Sequence, residues 1–390
     1  MDIFKKEILL ITCARAIAPY LRKEVEALNY TIKSEHNTGI ELSASFADSM
    51  KLNLCLRTAY GVLYLLKQFS CRDAKELYEE VFAIPWEELI EPSEYLSVVS
   101  RVDTPSINNS VFASQKAKDA IVDRIANKCG SRPSAGASRE NVVVNLYWKD
   151  RNCWIYINTS GRKLSDRNYR KIPYKAPLQE TLAAALLQAA GYDGRKPLVN
   201  PMCGSGTIAI EAALIALARP PAELRRNFGF MHIKGFDAQN WQNLRKKICA
   251  ASKKNTAFKI IASDIDKEAV ESAKKNAKAA KVEDCIEFHI CDFKETPIPC
   301  EKGIVFFNPE YGLRMGNQRK LENTYKEIGD FLKQKCSGFK GYVFTGNKDL
   351  AKCVGLRAKR RLTFFNAEIE CRLLEYEMYE GSVKKSKIKN

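Results

Sequence analysis

Asn308-Pro309-Glu310-Tyr311-Gly312 follows the apolar run Ile304-Val305-Phe306-Phe307. The pattern reads as a buried strand ending in a rigid polar loop that carries one aromatic ring. Such a loop can hold the exocyclic amino group of a base. The Asn308 side-chain oxygen and the Pro309 carbonyl accept from the nitrogen, and the Tyr311 ring stacks on the base. The alternative for Tyr311 is a core aromatic, although the Gly312 and Arg314 that follow point to an exposed turn. Arg314 could pair with a phosphate or lie on the surface as an ordinary arginine.

A second constellation is Asn200-Pro201-Met202-Cys203-Gly204-Ser205-Gly206-Thr207, between a strand-like segment and the apolar helix 208–217. Gly204 and Gly206 allow a sharp turn and close approach of backbone to a ligand. A lone G-x-G turn serves dinucleotide, nucleotide and methyl-donor sites, and a purely structural turn is the plain alternative. No third glycine follows at dinucleotide spacing and no P-loop lysine follows either. The next strand ends in Ser263-Asp264-Ile265-Asp266, where the Asp264 carboxylate can accept both hydroxyls of a ribose. Asp264 lies beyond the usual dinucleotide spacing, so an insertion must fill 219–258. Asp292, after a third strand, could accept from an adenine amino group. The competing role for these aspartates is helix capping.

The elements that must position these residues alternate regularly from Ala176 onward. Helices are expected over 179–190, 208–217, 267–281 and 323–334. Strands are expected over 197–200, 259–263, 286–290, 303–307, 341–345, 363–365 and 371–378. This alternation predicts a mostly parallel α/β sheet with helices on both faces and ligands at the carboxyl ends of its strands. A basic segment lies at Arg357–Arg361. The first third mixes strands (8–13, 39–42, 95–101, and a hairpin over 142–148 and 153–158) with helices (18–28, 46–54, 74–82, 114–129).

Between the two halves, residues 161–175 are charged and lack apolar periodicity. Arg162, Lys163, Arg167, Arg170, Lys171 and Lys175 interleave with Tyr169 and Tyr174, a mixture suited to phosphate contacts and base stacking. A solvated linker is the alternative. Residues 381–390 read as a disordered basic tail.

Lysine and arginine number 63 against 46 aspartates and glutamates, a net charge of +17, which favours a polyanionic partner. No apolar run approaches a membrane span, and the amino-terminal segment lacks a cleavage site, so no membrane partner and a cytoplasmic location are expected. The 13 cysteines are scattered without a C-x-x-C pair and only three histidines occur. Reduced thiols and no metal are the expectation.

Taken together, these residues resemble the class I S-adenosylmethionine methyltransferases, and more closely the bacterial large-subunit (23S) ribosomal RNA guanine-N2 methyltransferases that carry a THUMP RNA-binding domain. The resemblance rests on 176–183, 200–211, 263–266, 308–314, 344–347 and 365–373. It implies a Rossmann-like methyltransferase domain over 176–380 behind an α+β ferredoxin-like subdomain (1–60), a THUMP-like domain (61–160) and the basic linker. It implies S-adenosylmethionine as cofactor, held by Asn200, Met202, Cys203, Gly204, Gly206 and Thr207, with Asp264 on the ribose, Ile265 beside it and Asp292 at the adenine. Glu180 and Thr181 resemble the segment that closes over the donor, and Asn308 joins donor to acceptor. Arg162, Lys163, Arg167, Tyr169, Arg170 and Arg314 are then RNA-binding candidates.

The family usually begins the glycine loop with Asp where this chain has Asn200, and has a second proline where it has Glu310. Members with a further carboxy-terminal methyltransferase domain exist, and this chain is expected to lack it. Guanine N2 in ribosomal RNA is the leading acceptor. Guanine N2 in tRNA, adenine N6, and a non-catalytic RNA-binding assembly factor are the alternatives.

Overall fold

The computed structural model describes residues 5–172, 177–311 and 318–379. The chain divides into two compact units, each assembled from separated segments. The first comprises the described residues up to Cys13, then Leu21–Asp166 and Arg225–Ala250. The second comprises Ala14–Tyr20, Arg167–Leu224 and the chain from Ala251 onward.

In the first unit, strands β1 (Lys6–Thr12), β2 (Ile32–His36), β3 (Gly39–Ser45), β4 (Gly61–Ser70), β5 (Leu96–Asp103), β6 (Val142–Lys149) and β7 (Asn152–Asn158) form one sheet in the order β2-β3-β1-β4-β7-β6-β5. All pairings are antiparallel except β5 with β6. Strand β4 joins β1 to β7 across the boundary expected near residue 60, so the sheet is continuous there.

Helices α1 (Ala18–Ala27), α2 (Phe46–Cys55), α3 (Ala74–Phe82) and α4 (Ser110–Cys129) connect these strands. Their starts follow from local chemistry. Ser45 and Asp48 form a capping box on α2, and the Asp73 and Asn109 side chains cap α3 and α4.

In the second unit, α5 (Glu180–Ala189) precedes β8 (Leu198–Pro201) and α6 (Thr207–Ala216). The chain then supplies α7 (Ala238–Cys249), which belongs to the first unit, before returning. There follow β9 (Ile260–Asp264), α8 (Lys267–Ala279), β10 (Ile286–Ile290), β11 (Ile304–Phe307), α9 (Gln318–Lys335), β12 (Lys340–Thr345), α10 (Lys348–Cys353), β13 (Arg360–Asn366) and β14 (Ile369–Glu377).

The sheet order is β10-β9-β8-β11-β12-β14-β13. The first five strands are parallel, and β14 is antiparallel to both its neighbours. The order reverses between β8 and β11, which opens a crevice at their carboxyl ends. Val199, Val305, Phe307, Phe331, Val343 and Leu374 pack in the core on one face of this sheet.

The insertion expected over 219–258 is ordered at its centre. Phe228, Phe230 and Trp241 form an aromatic cluster with centroids 5.0 to 5.5 Å apart, and Arg225 donates to the carbonyls of Ser160, Arg162 and Lys163. Residues 381–390, expected as a tail, lie outside the described residues.

Candidate active site

The crevice is floored by Asn200, 1% exposed at the end of β8, whose Nδ2 donates to the Phe306 carbonyl of β11 at 2.9 Å. One amide thus ties the two strands at the switch point. Its Oδ1 is buried and finds no hydrogen-bond partner among the described residues. Thr181 Oγ1 at the start of α5 is orphaned in the same way. Unpaired buried acceptors are costly, and two of them among the residues expected to close around a donor fit a bound polar ligand.

The glycine loop turns through left-handed conformations at Met202 (φ 55°), Gly204 (φ 55°) and Gly206 (φ 81°). The two glycines do different jobs. A Cβ on Gly206 would lie 2.9 Å from Cβ of Ala273, so this glycine lets α8 approach the loop. A Cβ on Gly204 would meet nothing within 4 Å, so this one faces open space.

Asp264 closes the loop from β9. Its Oδ2 accepts from Gly204 N at 2.9 Å and its Oδ1 from Asp266 N at 3.0 Å. Both oxygens are oriented yet keep lone pairs for further donors. Asp264 is not a helix cap: Asp266 caps α8. Ile265, between them, is 72% exposed, an uncovered apolar side chain beside the acid. Asp292 follows β10 and caps a short turn through Lys294 N, with Lys294 Nζ 3.5 Å from its other oxygen. Burial, then the Asp264 carboxylate, pushes the Cys203 thiol up, so it stays protonated.

The linker residues require a correction. Arg167 and Tyr169 are 1% exposed and belong to the core, with Tyr169 donating to Glu211 of α6 at 3.1 Å and Arg167 3.6 Å from the same carboxylate. A buried carboxylate on the otherwise apolar α6 needs a counter-charge and a donor; Arg167 supplies the first and Tyr169 the second, and neither can stack on or pair with RNA.

Arg170 is likewise committed. Its guanidinium donates to Glu180, the Leu178 carbonyl, Ser205 Oγ and Thr207 Oγ1 at 2.8 to 3.2 Å, clasping the glycine loop to the start of α5. Glu180 and Thr207 therefore act in part through Arg170. Arg162 and Lys163 remain exposed, Arg162 paired with Glu140 and Asp166, and Lys163 5.1 Å from the Tyr60 ring. Tyr174, Lys175, Gly312 and Arg314 lie outside the described residues.

The acceptor loop sits at the end of β11. Asn308 is half-buried, and its carboxamide makes no hydrogen bond among the described residues. Its neighbours are fastened. Tyr325 of α9, itself bonded to Thr345 at 2.8 Å, donates to the Glu310 carbonyl at 3.4 Å. Tyr311 Oη accepts from Asn366 Nδ2 at 2.7 Å, and its ring meets Phe344 edge-on at 6.5 Å. Gly346 makes room for that ring, since a Cβ there would lie 2.9 Å from it. Burial pushes the Tyr311 phenol up to about 12. The Glu310 side chain is exposed.

Three residues that hold this site escaped the sequence reading. Asn276 of α8 accepts from Lys171 N and Ile172 N and donates to the carbonyls of Ile172 and Ser205, pinning the clasp. A polar residue on the buried Ala269–Ala273–Ala277 face was its signal. Asn366 entered only as part of the 365–373 resemblance, with no role read for it, and Tyr325 carried no signal. Among the described residues no group of three His, Cys, Asp or Glu could hold a metal, and no helix is long and apolar enough to cross a membrane.

A doubly wound sheet with a glycine loop, an acid after the second strand and an Asn-Pro-x-Tyr loop at the switch point defines a class I methyltransferase domain. Residues 167–375 match the RMKL-like methyltransferase domain family, 71–158 the THUMP domain and 8–63 the RlmL ferredoxin-like domain. The chain belongs to this THUMP-containing family of S-adenosylmethionine-dependent RNA methyltransferases.

It is 32% identical over 368 residues to slr0064 of Synechocystis, provisionally named an RNA methyltransferase, covering 94% of this chain and 96% of that one. It is 34% identical over 374 residues to the ribosomal RNA large subunit methyltransferase K/L of Psychromonas ingrahamii, covering 94% of this chain but 50% of that one. The chain thus spans about half the length of the K/L relatives it matches. A crystal structure of a protein from Clostridium difficile 630, provisionally described as a methylase, superposes with a TM-score of 0.86 at 27% identity, covering 97% of this chain and 100% of that one.

Proposed function

We propose that this chain methylates the exocyclic N2 of a guanine in RNA, and specifically in 23S ribosomal RNA in the cytoplasm. The observation that carries this reading is the Asn308 carboxamide, without a hydrogen-bond partner among the described residues, in a loop where the Glu310 carbonyl and the Tyr311 hydroxyl are fastened.

When bound, S-adenosylmethionine supplies an electrophilic methyl group on a sulfonium. The residues arranged to hold it are Asp264 toward the ribose hydroxyls, Ile265 against the adenine, Asp292 toward its amino group, and Asn200 and Thr181, whose orphaned oxygens accept from the donor. Asn200 keeps the acceptor role of the family's aspartate and adds the tie to Phe306. Met202, Cys203 and Gly204 line the turn.

Guanine N2 is a poor nucleophile because its lone pair is delocalised into the ring. Asn308 Oδ1 and the Pro309 carbonyl accept its two N–H bonds, drawing the nitrogen toward tetrahedral geometry and aiming the lone pair in line. Tyr311 stays neutral and offers its ring to the base; no base is needed in the transfer, since the proton leaves after the nitrogen has become cationic. The solvent-directed Glu310 side chain contributes mainly loop shape. The name of the Psychromonas ingrahamii relative supports a large-subunit ribosomal RNA target. Arg162 and Lys163 are the remaining linker contacts for RNA.

Asn308→Ala should lower transfer about 100- to 1,000-fold, the loss seen when one positioned electrostatic contact is removed, while calorimetry finds donor affinity near the wild-type value. Near-normal turnover in that variant removes Asn308 from the chemistry.

A further inference from the structure

Strand β13 is the outer edge of the second unit's sheet, and a segment from far away in sequence clasps it. Residues 14–20 belong to this unit. The Tyr20 ring stacks on Phe364 at 5.5 Å, and the Arg15 guanidinium lies over the next residue, Phe365, at 4.1 Å. Alternation along β13 places those two rings on opposite faces, so the segment straddles the edge. Ala16 takes a left-handed φ of 66°, a conformation that a non-glycine residue holds only when its surroundings fix it.

The basic run Arg357–Arg361 is divided by its ion pairs. Lys359 pairs with Glu377 and Arg360 with Glu375, and both are spent within the fold. Arg361 is on the Phe365 side, exposed, with no ion pair or hydrogen bond among the described residues. Arg15 is also exposed and without an ion pair. The acid on this side is Glu370, opposite Phe365, and it is matched by Arg372 and Lys348. The residue after Phe365 is Asn366, which holds Tyr311 of the acceptor loop.

We infer that Arg15 and Arg361 form a backbone track for single-stranded RNA flanking the methylated nucleotide, with phosphates as the recognised groups. Arginine on an aromatic face keeps its fork of donors aimed outward for phosphate oxygens at little entropic cost. Four residues of strand separate Phe365 from Arg361, about 13 Å, so the two cations serve different phosphates. Both ends of the track are set by rigid elements, and its upper end reaches the carboxyl-terminal end of β13, where the next side chain, Asn366, turns to the opposite face to hold Tyr311.

This inference rests on the RNA methyltransferase reading. It is tested with full-length protein and an in vitro transcript of large-subunit ribosomal RNA. Arg15→Ala combined with Arg361→Ala should weaken RNA binding about tenfold and flatten the plot of log affinity against log salt by about 1.4, two phosphate contacts at about 0.7 each. Thermal midpoint and S-adenosylmethionine affinity should not move, and Arg15→Lys should recover most of the salt slope. Unchanged affinity and slope in the double variant overturn the track, as does a parallel loss of thermal stability that Arg15→Lys fails to separate. Asn308→Ala, run alongside, should bind RNA normally while its transfer falls about 100- to 1,000-fold; full transfer there defeats the underlying reading instead.

Discussion

Gly204 and Gly206 sit two residues apart and are constrained by different things. At Gly206 the obstacle is Ala273, so Gly206→Ala should cost about 1–3 kcal/mol of stability through overpacking and a strained φ. At Gly204 only the backbone conformation resists, so Gly204→Ala should cost about 1 kcal/mol while donor affinity falls more than tenfold. Thermal melting and calorimetry on the two variants separate the effects. Equal loss of donor affinity without loss of stability in both would contradict the assignment.

Tyr311 gives a pH expectation. Burial raises its pKa from the usual 10.0 to about 12, so folding favours the neutral phenol. Its contribution to stability is complete below pH 10 and is lost as the pH rises through about 12. The pH–rate profile should therefore carry no Tyr311 limb at neutral or mildly alkaline pH, and Tyr311→Phe should keep the profile's shape.

At this scale the sequence singled out the loop residues and Asp264 because their types and spacing are chemically distinctive. It misplaced Arg167, Tyr169 and Arg170, because alternating cations and aromatics look alike whether they face solvent or a buried Glu211.

Among elements, residues 167–172 clasp the glycine loop. Asn276 makes four hydrogen bonds to Lys171, Ile172 and Ser205 from the buried face of α8. Asn276→Ala strands those groups and should destabilise by about 2–4 kcal/mol, with a weaker donor site measured by calorimetry. A stable variant with full donor affinity would mean the clasp does not shape the loop.

Periodicity exposed most strands and helices of the second unit, where apolar runs are short and bounded by turns. It missed β2, a polar edge strand with no buried residue, and β4, whose continuous run Val62-Leu63-Tyr64-Leu65-Leu66 fits a buried helix as well as a strand. The insertion over 219–258 had no internal order legible in the sequence, because Phe228, Phe230 and Trp241 find one another only in three dimensions.

For the molecule as a whole, the two units are each built from interrupted sequence. The methyltransferase unit takes Ala14–Tyr20 from the front of the chain and lends Arg225–Ala250 to the other unit. Domain limits read along the sequence cannot reveal such exchanges. A fragment beginning at Arg167 would leave Phe364 and Phe365 without Tyr20 and Arg15. Calorimetry should show it unfolding at a lower temperature than the same unit in the full chain; an equal midpoint would show that the exchanged segment contributes nothing.

The most direct measurement is nucleoside analysis of an unmodified large-subunit ribosomal RNA transcript after incubation with the full chain and methyl-labelled S-adenosylmethionine. Label in N2-methylguanosine, absent with Asn308→Ala, is the expected result. Label in N6-methyladenosine, or no label despite measurable donor binding, would contradict it.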